Sequence, residues 1–158
     1  MPPNRAPIPC YTRALDALAR RARSSADLAR WLGDRGYERD EIAETVSRLT
    51  ATGLLDDARF AHAFARSRFV DGKQSRRRVQ AELARHGVAR EVADAAIATV
   101  VQDEVVDEEA MVRAVAERKY RTLARLDPIV ARRRLMAFLA RRGYDGDLVR
   151  RVAAAITG

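Results

Sequence analysis

The chain has 158 residues, of which 47% are hydrophobic and 33% charged, proportions typical of a folded protein with a buried core. Thirty lysine and arginine residues against 22 acidic ones give a net charge of +8, which makes an acidic partner such as nucleic acid an early candidate. A single cysteine, Cys10, excludes an internal disulfide, and two histidines, His62 and His86, do not suffice for a zinc site. We therefore expect neither a metal nor any other cofactor.

The first residues and the lengths of the apolar runs indicate where in the cell the protein is expected to act. No apolar run reaches the roughly 18 to 20 residues that cross a bilayer, and the first residues lack the apolar stretch of a secretion signal. These features predict a cytoplasmic protein without a membrane partner. Four of the five prolines lie in the first nine residues, which predicts a disordered leader over residues 1–10 and a fold that starts near Tyr11.

From Tyr11 to Ile156 the apolar residues recur three, four and seven positions apart, which predicts helices, and no segment alternates as a strand requires. The nine segments are marked, in chain order, by Leu15 and Leu18; Leu28, Trp31 and Leu32; Ile42, Val46 and Leu49; Phe60 and Phe64; Val79 and Leu83; Val92, Ile97 and Val100; Met111 and Val115; Leu135, Phe138 and Leu139; and Val149, Val152 and Ile156. The predicted fold class is all-α.

Several helix ends are also marked. Gly36, Gly53, Gly87 and Gly143 each follow an apolar periodic stretch, where a left-handed residue commonly ends a helix. Asp127 followed by Pro128 predicts an N-cap with proline at the first helical position.

An internal repeat appears when Gly36, Gly87 and Gly143 are set in register. Apolar residues then coincide at five offsets, which are Leu28, Val79 and Leu135; Leu32, Leu83 and Leu139; Ile42, Ala93 and Val149; Val46, Ile97 and Ala153; and Leu49, Val100 and Ile156. We predict three-helix repeats over residues 11–53, 54–105 and 106–158. Because a unit of about 50 residues is barely stable alone, the repeats should stack into an elongated array that binds macromolecules along one face.

Charge follows the repeats in blocks. Residues 58–90 carry +7, residues 91–109 carry −7, and residues 110–158 carry +8. The positive surplus is concentrated in two triplets at equivalent positions, Arg76–Arg78 and Arg132–Arg134. Three arginines in the opening turns of a helix oppose its macrodipole, so an acidic partner is one explanation of their presence. The other is that basic and acidic stretches of the chain attract one another inside the stack.

The candidate binding residues for such a partner are Arg66, Arg68, Lys73, Arg76, Arg77, Arg78, Lys119, Arg132, Arg133, Arg134, Arg141 and Arg142. Consecutive helical residues point about 100° apart, so one or two arginines of each triplet can face a ligand. No phosphate-binding glycine loop, nucleophile elbow or zinc-protease helix is present, so we do not expect an enzyme. The aromatic residues are predicted to lie in the hydrophobic core. We assign neither a partner nor a role to His62 and His86.

A family resemblance joins these features. Gly53-Leu54-Leu55-Asp56-Asp57-Ala58-Arg59-Phe60, followed by Glu82-Leu83 and Gly87-Val88, resembles the signature of the RecX family, with Leu54 where an aromatic residue is often found. Arg118-Lys119-Tyr120 and Phe138-Leu139-Ala140-Arg141-Arg142-Gly143-Tyr144 are similar to its C-terminal pattern. The resemblance implies a monomeric, non-enzymatic regulator of recombination, repair and the SOS response. It would lie in the groove of the RecA filament on single-stranded DNA and inhibit ATP hydrolysis, strand exchange and co-protease activity, with no small-molecule substrate.

Two alternatives remain open from the sequence. The chain could be a helical-repeat DNA-binding protein or transcription regulator that inserts a helix into a groove. The third helix of the first two repeats, over residues 38–51 and 89–102, carries net negative charge, which argues against its insertion. The other alternative is a structural linker without a nucleic-acid role.

Overall fold

The computed structural model describes residues 7–104 and 106–158, and in these ranges it contains nine α-helices and no strand, as predicted. The helices are α1 Cys10–Arg20, α2 Ser25–Gly33, α3 Arg39–Ala51, α4 Asp57–Arg66, α5 Arg76–Arg85, α6 Arg90–Asp103, α7 Glu108–Arg121, α8 Pro128–Arg141 and α9 Gly146–Thr157. A π-helical turn, Ser67–Asp71, extends α4 and was not predicted. Most of the predicted leader, residues 1–6, lies outside the described residues.

Each group of three consecutive helices encloses its own hydrophobic core. The first core contains Leu28, Leu32 and Leu49, and the equivalent residues fill the second and third cores. Of the apolar repeat positions, Ile42, Val46 and Ile156 are partly buried and the rest are buried. The repeat predicted from the sequence is therefore a repeat of core positions, and we call the three groups modules one, two and three.

The helix ends follow the predicted chemistry. All four glycines in the predicted left-handed position have a positive φ, between +71° and +85°. The Asp127 carboxylate accepts from the backbone N–H groups of Ile129 and Val130, at 2.9 and 3.3 Å, and Pro128 is the first residue of α8. Asp145 caps α9 in the same way. These caps satisfy amide groups that have no partner inside a helix.

Neighbouring modules are joined by a contact that occurs twice. Ser24 caps α2 by accepting from the Asp27 amide at 3.1 Å, and its hydroxyl donates to the His86 carbonyl of module two at 2.5 Å. Ser75 caps α5 by accepting from the Arg78 amide at 3.2 Å and donates to the Arg142 carbonyl of module three at 3.0 Å. A hydroxyl can accept and donate through the same oxygen, so one short side chain makes both contacts, and both serines are buried.

Each joint therefore brings the N-terminal end of the second helix of one module against the C-terminal end of the second helix of the next. At the first joint, His86 Nδ1 lies 2.6 Å from Asp27 Oδ2, so the prediction that this histidine has no partner is wrong. The sequence could not show the pair, because the two residues lie 59 positions apart and meet only when the modules dock.

No hydrogen bond or ion pair between residues of the described ranges joins module one to module three, and every helix pair in extensive contact lies within one module. The three modules therefore form a linear, elongated array, with each module touching its neighbour in the sequence. Such a chain of small units gains stability from each core and each joint in turn.

Candidate functional site

A cleft at the second joint gathers more arginine side chains than either module could gather alone. It has a volume of about 530 Å³ and is lined by residues from α5 and from the C-terminal end of α8. The charged residues of this basic cleft are Arg77, Arg78, Glu82, Arg85, Arg141 and Arg142. Five guanidinium groups face one carboxylate, which makes the cleft suited to an anionic ligand.

The helices position these side chains by spacing and by docking. Arg78, Glu82 and Arg85 are four and seven residues apart, so they lie along one face of α5. Arg141 and Arg142 follow at the C-terminal end of α8, where the helix macrodipole favours positive charge. The Ser75 hydroxyl, which donates to the Arg142 carbonyl, holds that end against the first turn of α5.

The three arginines of the first triplet have different settings. Arg76 forms an ion pair with Glu108 of module three, and Arg78 lies 3.4 Å from Glu82. Arg77 has no ion pair within the described part of the chain, and it lines the cleft. Attraction between basic and acidic stretches of the chain therefore accounts for Arg76 and Arg78, whereas Arg77 keeps its charge toward solvent.

Arg142 is held in place by an aromatic ring. Its guanidinium carbon lies 5.1 Å from the centroid of the Phe138 ring, and Lys119 Nζ lies 5.2 Å from the same centroid. The partly buried ring is thus flanked by two cations, an arrangement worth about 0.5–1 kcal/mol for each cation at an exposed site. Phe138 belongs to the core, as predicted, and also fixes two of the candidate binding residues.

The other candidate residues lie outside the cleft. Arg66 pairs with Glu104 at 2.5 Å, and this hydrogen bond raises the pKa of Arg66 above its ordinary value. Arg68 lies 3.1 Å from Glu82 and stacks over Phe64. Exposed ion pairs of this kind contribute little to stability because water screens them, so they leave both arginines within reach of a stronger ligand.

Lys73 and the second triplet have different settings. Lys73 is exposed in a left-handed conformation with φ of +47°, and its carbonyl accepts from the Tyr144 hydroxyl at 2.5 Å. Arg132, Arg133 and Arg134 are exposed on α8 and have no ion pair among residues 7–104 and 106–158. The structure therefore brings Arg77, Arg78, Arg141 and Arg142 together in the cleft and leaves the second triplet toward the far end of α8.

Tyr144 seals one side of the second joint. The residue is 7% exposed, and burial raises the pKa of its phenol, an effect that the nearby Arg142 partly opposes. The neutral phenol is the form that can donate to the Lys73 carbonyl, so the joint depends on the proton that burial retains.

The sequence analysis missed Arg85 as a cleft residue. A signal was available, because Arg85 lies seven residues after Arg78 on the same helix and therefore on the same face. What the sequence could not indicate was that the end of α8 would complete the cleft.

Membrane-spanning helices and metal-ligand clusters are both absent from the described residues. No helix in the described ranges is both long enough and apolar enough to span a membrane. No three His, Cys, Asp or Glu side chains of those ranges come together in a way that could hold a metal ion.

The fold and the cleft define a helical-repeat protein in which two neighbouring modules gather arginine side chains at their joint. Three family models match it in turn: the first, second and third three-helix domains of RecX, over residues 10–49, 56–97 and 107–153. The chain belongs to the RecX family of regulatory proteins.

Individual relatives agree with this assignment. The chain is 40% identical over 142 residues to the regulatory protein RecX of Halorhodospira halophila, covering 90% of this chain and 84% of the relative. It is 36% identical over 133 residues to that of Amycolatopsis mediterranei, covering 84% and 74%. The crystal structure of RecX from Lactobacillus salivarius superposes with a TM-score of 0.82 at 16% identity, covering 93% of this chain and 94% of that one, and so shares the fold.

Proposed function

We propose that this protein binds the RecA filament on single-stranded DNA along its groove and inhibits the ATPase, strand-exchange and co-protease activities of that filament. The observation that carries the proposal is the basic cleft, built across a joint of a linear array in a member of the RecX family. A filament repeats the same acidic groups at regular intervals, and an array of modules can contact several of them at once.

Multivalency explains how such a surface can inhibit. Each module adds a contact at high effective concentration once the first has bound, so the total affinity exceeds that of any single arginine contact. A protein that spans neighbouring subunits of a filament obstructs their movement and the addition of new subunits. Neither effect requires catalysis, and we propose that the protein is a cytoplasmic, non-enzymatic regulator that acts as a monomer.

The test is the DNA-dependent ATPase of RecA measured with and without this protein. Inhibition at protein concentrations too low to coat the DNA supports the proposal, whereas an unchanged ATPase rate contradicts it. The variant Arg77→Glu/Arg141→Glu should lose inhibition because it reverses two charges in the cleft. The matched control is Arg20→Glu/Arg39→Glu, which makes the same charge change at exposed residues of module one that do not line the cleft.

A second function is direct binding to nucleic acid, favoured by the fit of the same cleft to a phosphate group. Binding of this kind weakens steeply with salt, with a slope that decreases by about 0.7–0.9 for each phosphate contact removed. Measuring affinity for bare single-stranded DNA at two salt concentrations tests it. Tight, sequence-selective binding to duplex DNA without an effect on the ATPase would favour this function over filament inhibition.

A further inference from the structure

The far end of module three differs from the corresponding ends of the other modules. The helices α2 and α5 each begin eleven residues before the glycine that aligns the repeats, whereas α8 begins fifteen residues before it. The four additional residues form about one turn, which extends α8 by about 6 Å. The residue of α8 in register with the joint serines Ser24 and Ser75 is Ala131, which is buried inside the helix.

Exposed apolar residues lie in this additional turn and just before it, at the point where a next module would dock. Ile129 is 80% exposed and Leu126, three residues earlier, is 36% exposed. A large aliphatic side chain in this position stabilises neither the core nor the helix. The first turns of α2 and α5 carry no exposed apolar side chain, and the N-cap serine of each is bonded to the following module.

The apolar residues stand beside unpaired positive charge. Arg132 and Arg133 lie three and four residues after Ile129, so the three side chains share one face of α8. Both arginines are exposed, and neither forms an ion pair with any residue of the described ranges. We call Leu126, Ile129, Arg132 and Arg133 the distal tip.

Asp127, the acidic residue next to the tip, keeps its charge but is held at the start of α8, where it is outnumbered by arginines. Its Oδ1 accepts from two backbone N–H groups and caps α8. Arg125, on the other side of Leu126, is exposed and adds a further positive charge.

We propose that the distal tip is a docking surface for an acidic protein segment that carries at least one apolar side chain. Exposed aliphatic side chains flanked by arginine match such a segment, because the arginines pair with carboxylates while the aliphatic groups leave water. A phosphate backbone would use the arginines but would leave Ile129 and Leu126 in water. The cleft also contains arginines but has no large aliphatic side chain. Apart from five guanidiniums and one carboxylate, it is lined by one glycine and two alanines.

The inference rests on the proposed function and divides it between two surfaces. The cleft contacts phosphate, and the distal tip contacts the protein of the filament. In this scheme the second arginine triplet contacts protein. The first triplet, at the equivalent position in module two, lies at the second joint and the cleft instead.

The test compares two ligands, the RecA filament on single-stranded DNA and the same DNA without RecA. The tip variant is Leu126→Ser/Ile129→Ser, and the control is Leu54→Ser, which alters another exposed leucine, 51% exposed, in the segment between α3 and α4. The tip variant should bind the filament at least tenfold more weakly, because it removes two aliphatic side chains from the interface. It should bind bare DNA within twofold of the parent, and the control should change neither affinity.

Circular dichroism should be unchanged in all variants, since the substituted side chains are exposed. Filament binding by the tip variant within twofold of the parent overturns the inference, and equal weakening on both ligands shows instead that the tip binds nucleic acid. In both cases the parent still binds the filament, so the proposed function stands. A parent that binds the filament no more tightly than bare DNA overturns the proposed function and the tip inference with it.

Discussion

Replacing Gly87 by alanine should destabilise the protein more than replacing Gly36, although the two residues occupy equivalent positions in modules two and one. Both have a left-handed backbone, with φ of +71° and +85°, which costs an alanine about 1–2 kcal/mol. At Gly36 an added Cβ has nothing within 4 Å, so this cost is the whole effect. At Gly87 the added Cβ would lie closer than 3.0 Å to the Cβ of Ala26 in module one.

That clash forces the first joint apart. The Ser24 hydroxyl then loses the His86 carbonyl, and leaving these groups unpaired costs about 1–3 kcal/mol. We expect Gly87→Ala to reduce the free energy of unfolding by about 3 kcal/mol and Gly36→Ala by about 1–2 kcal/mol, measured by urea denaturation. The double variant Ala26→Gly/Gly87→Ala removes the opposing Cβ. It should regain the stability that Gly87→Ala loses beyond Gly36→Ala, apart from the destabilisation caused by a glycine inside α2. Equal losses for Gly87→Ala and Gly36→Ala would refute the close approach of the modules.

Three further predictions concern the second joint and the array. Ser75→Ala should lower the free energy of unfolding by about 2 kcal/mol, because it removes a helix cap and leaves the Arg142 carbonyl unpaired. The control is Ser47→Ala, at an exposed serine, and its free energy of unfolding should stay within about 0.5 kcal/mol of the parent value. A similar loss in both serine variants, again from urea denaturation, would exclude the bridging role. Tyr144→Phe should lower the free energy of unfolding by about 1 kcal/mol at pH 7, because it removes the hydrogen bond to the Lys73 carbonyl. Burial raises the pKa of Tyr144 in the folded state. The stability difference between the parent and the variant should therefore be complete below pH about 10 and should disappear as the pH rises above it. Denaturation of both proteins across this range measures the difference, and an advantage that persists at high pH would contradict the assignment. Small-angle scattering should return a radius of gyration clearly above the value of about 15 Å for a compact domain of this length, and the compact value would argue against the array.

Much of the fold follows from local patterns that a sequence displays directly. Helix periodicity, the glycines after apolar stretches and the Asp127-Pro128 pair are properties of neighbouring residues, and the structure has helices and caps where these patterns predict them. The repeat was visible because each module buries residues at the same offsets from its glycine. The π-helical turn at Ser67–Asp71 was missed, since apolar spacing does not distinguish it from the end of an α-helix.

The joints and the site were less accessible to prediction, because they depend on how modules dock. Ser24 and Ser75 stand at the same offset from Gly36 and Gly87, which was a usable signal, but their bridging role depends on a carbonyl 62 or 67 residues away. The ion pair of Arg76 with Glu108 likewise crosses the second joint. The candidate binding residues predicted from the sequence therefore included both arginines that line the cleft and arginines that form ion pairs within the molecule.

The separation of the three cores has a consequence for how the sequence can change. Residues in one core share their neighbours, so a large-to-small substitution there can be compensated by a second change in the same module. Substitutions in different cores share no buried core residue, and among the described residues only Met111 packs against two cores, the second and the third, so their energetic effects should add except around Met111. Each module can therefore change largely on its own, provided that Met111 and the serine hydroxyl and the glycine at its joint are kept.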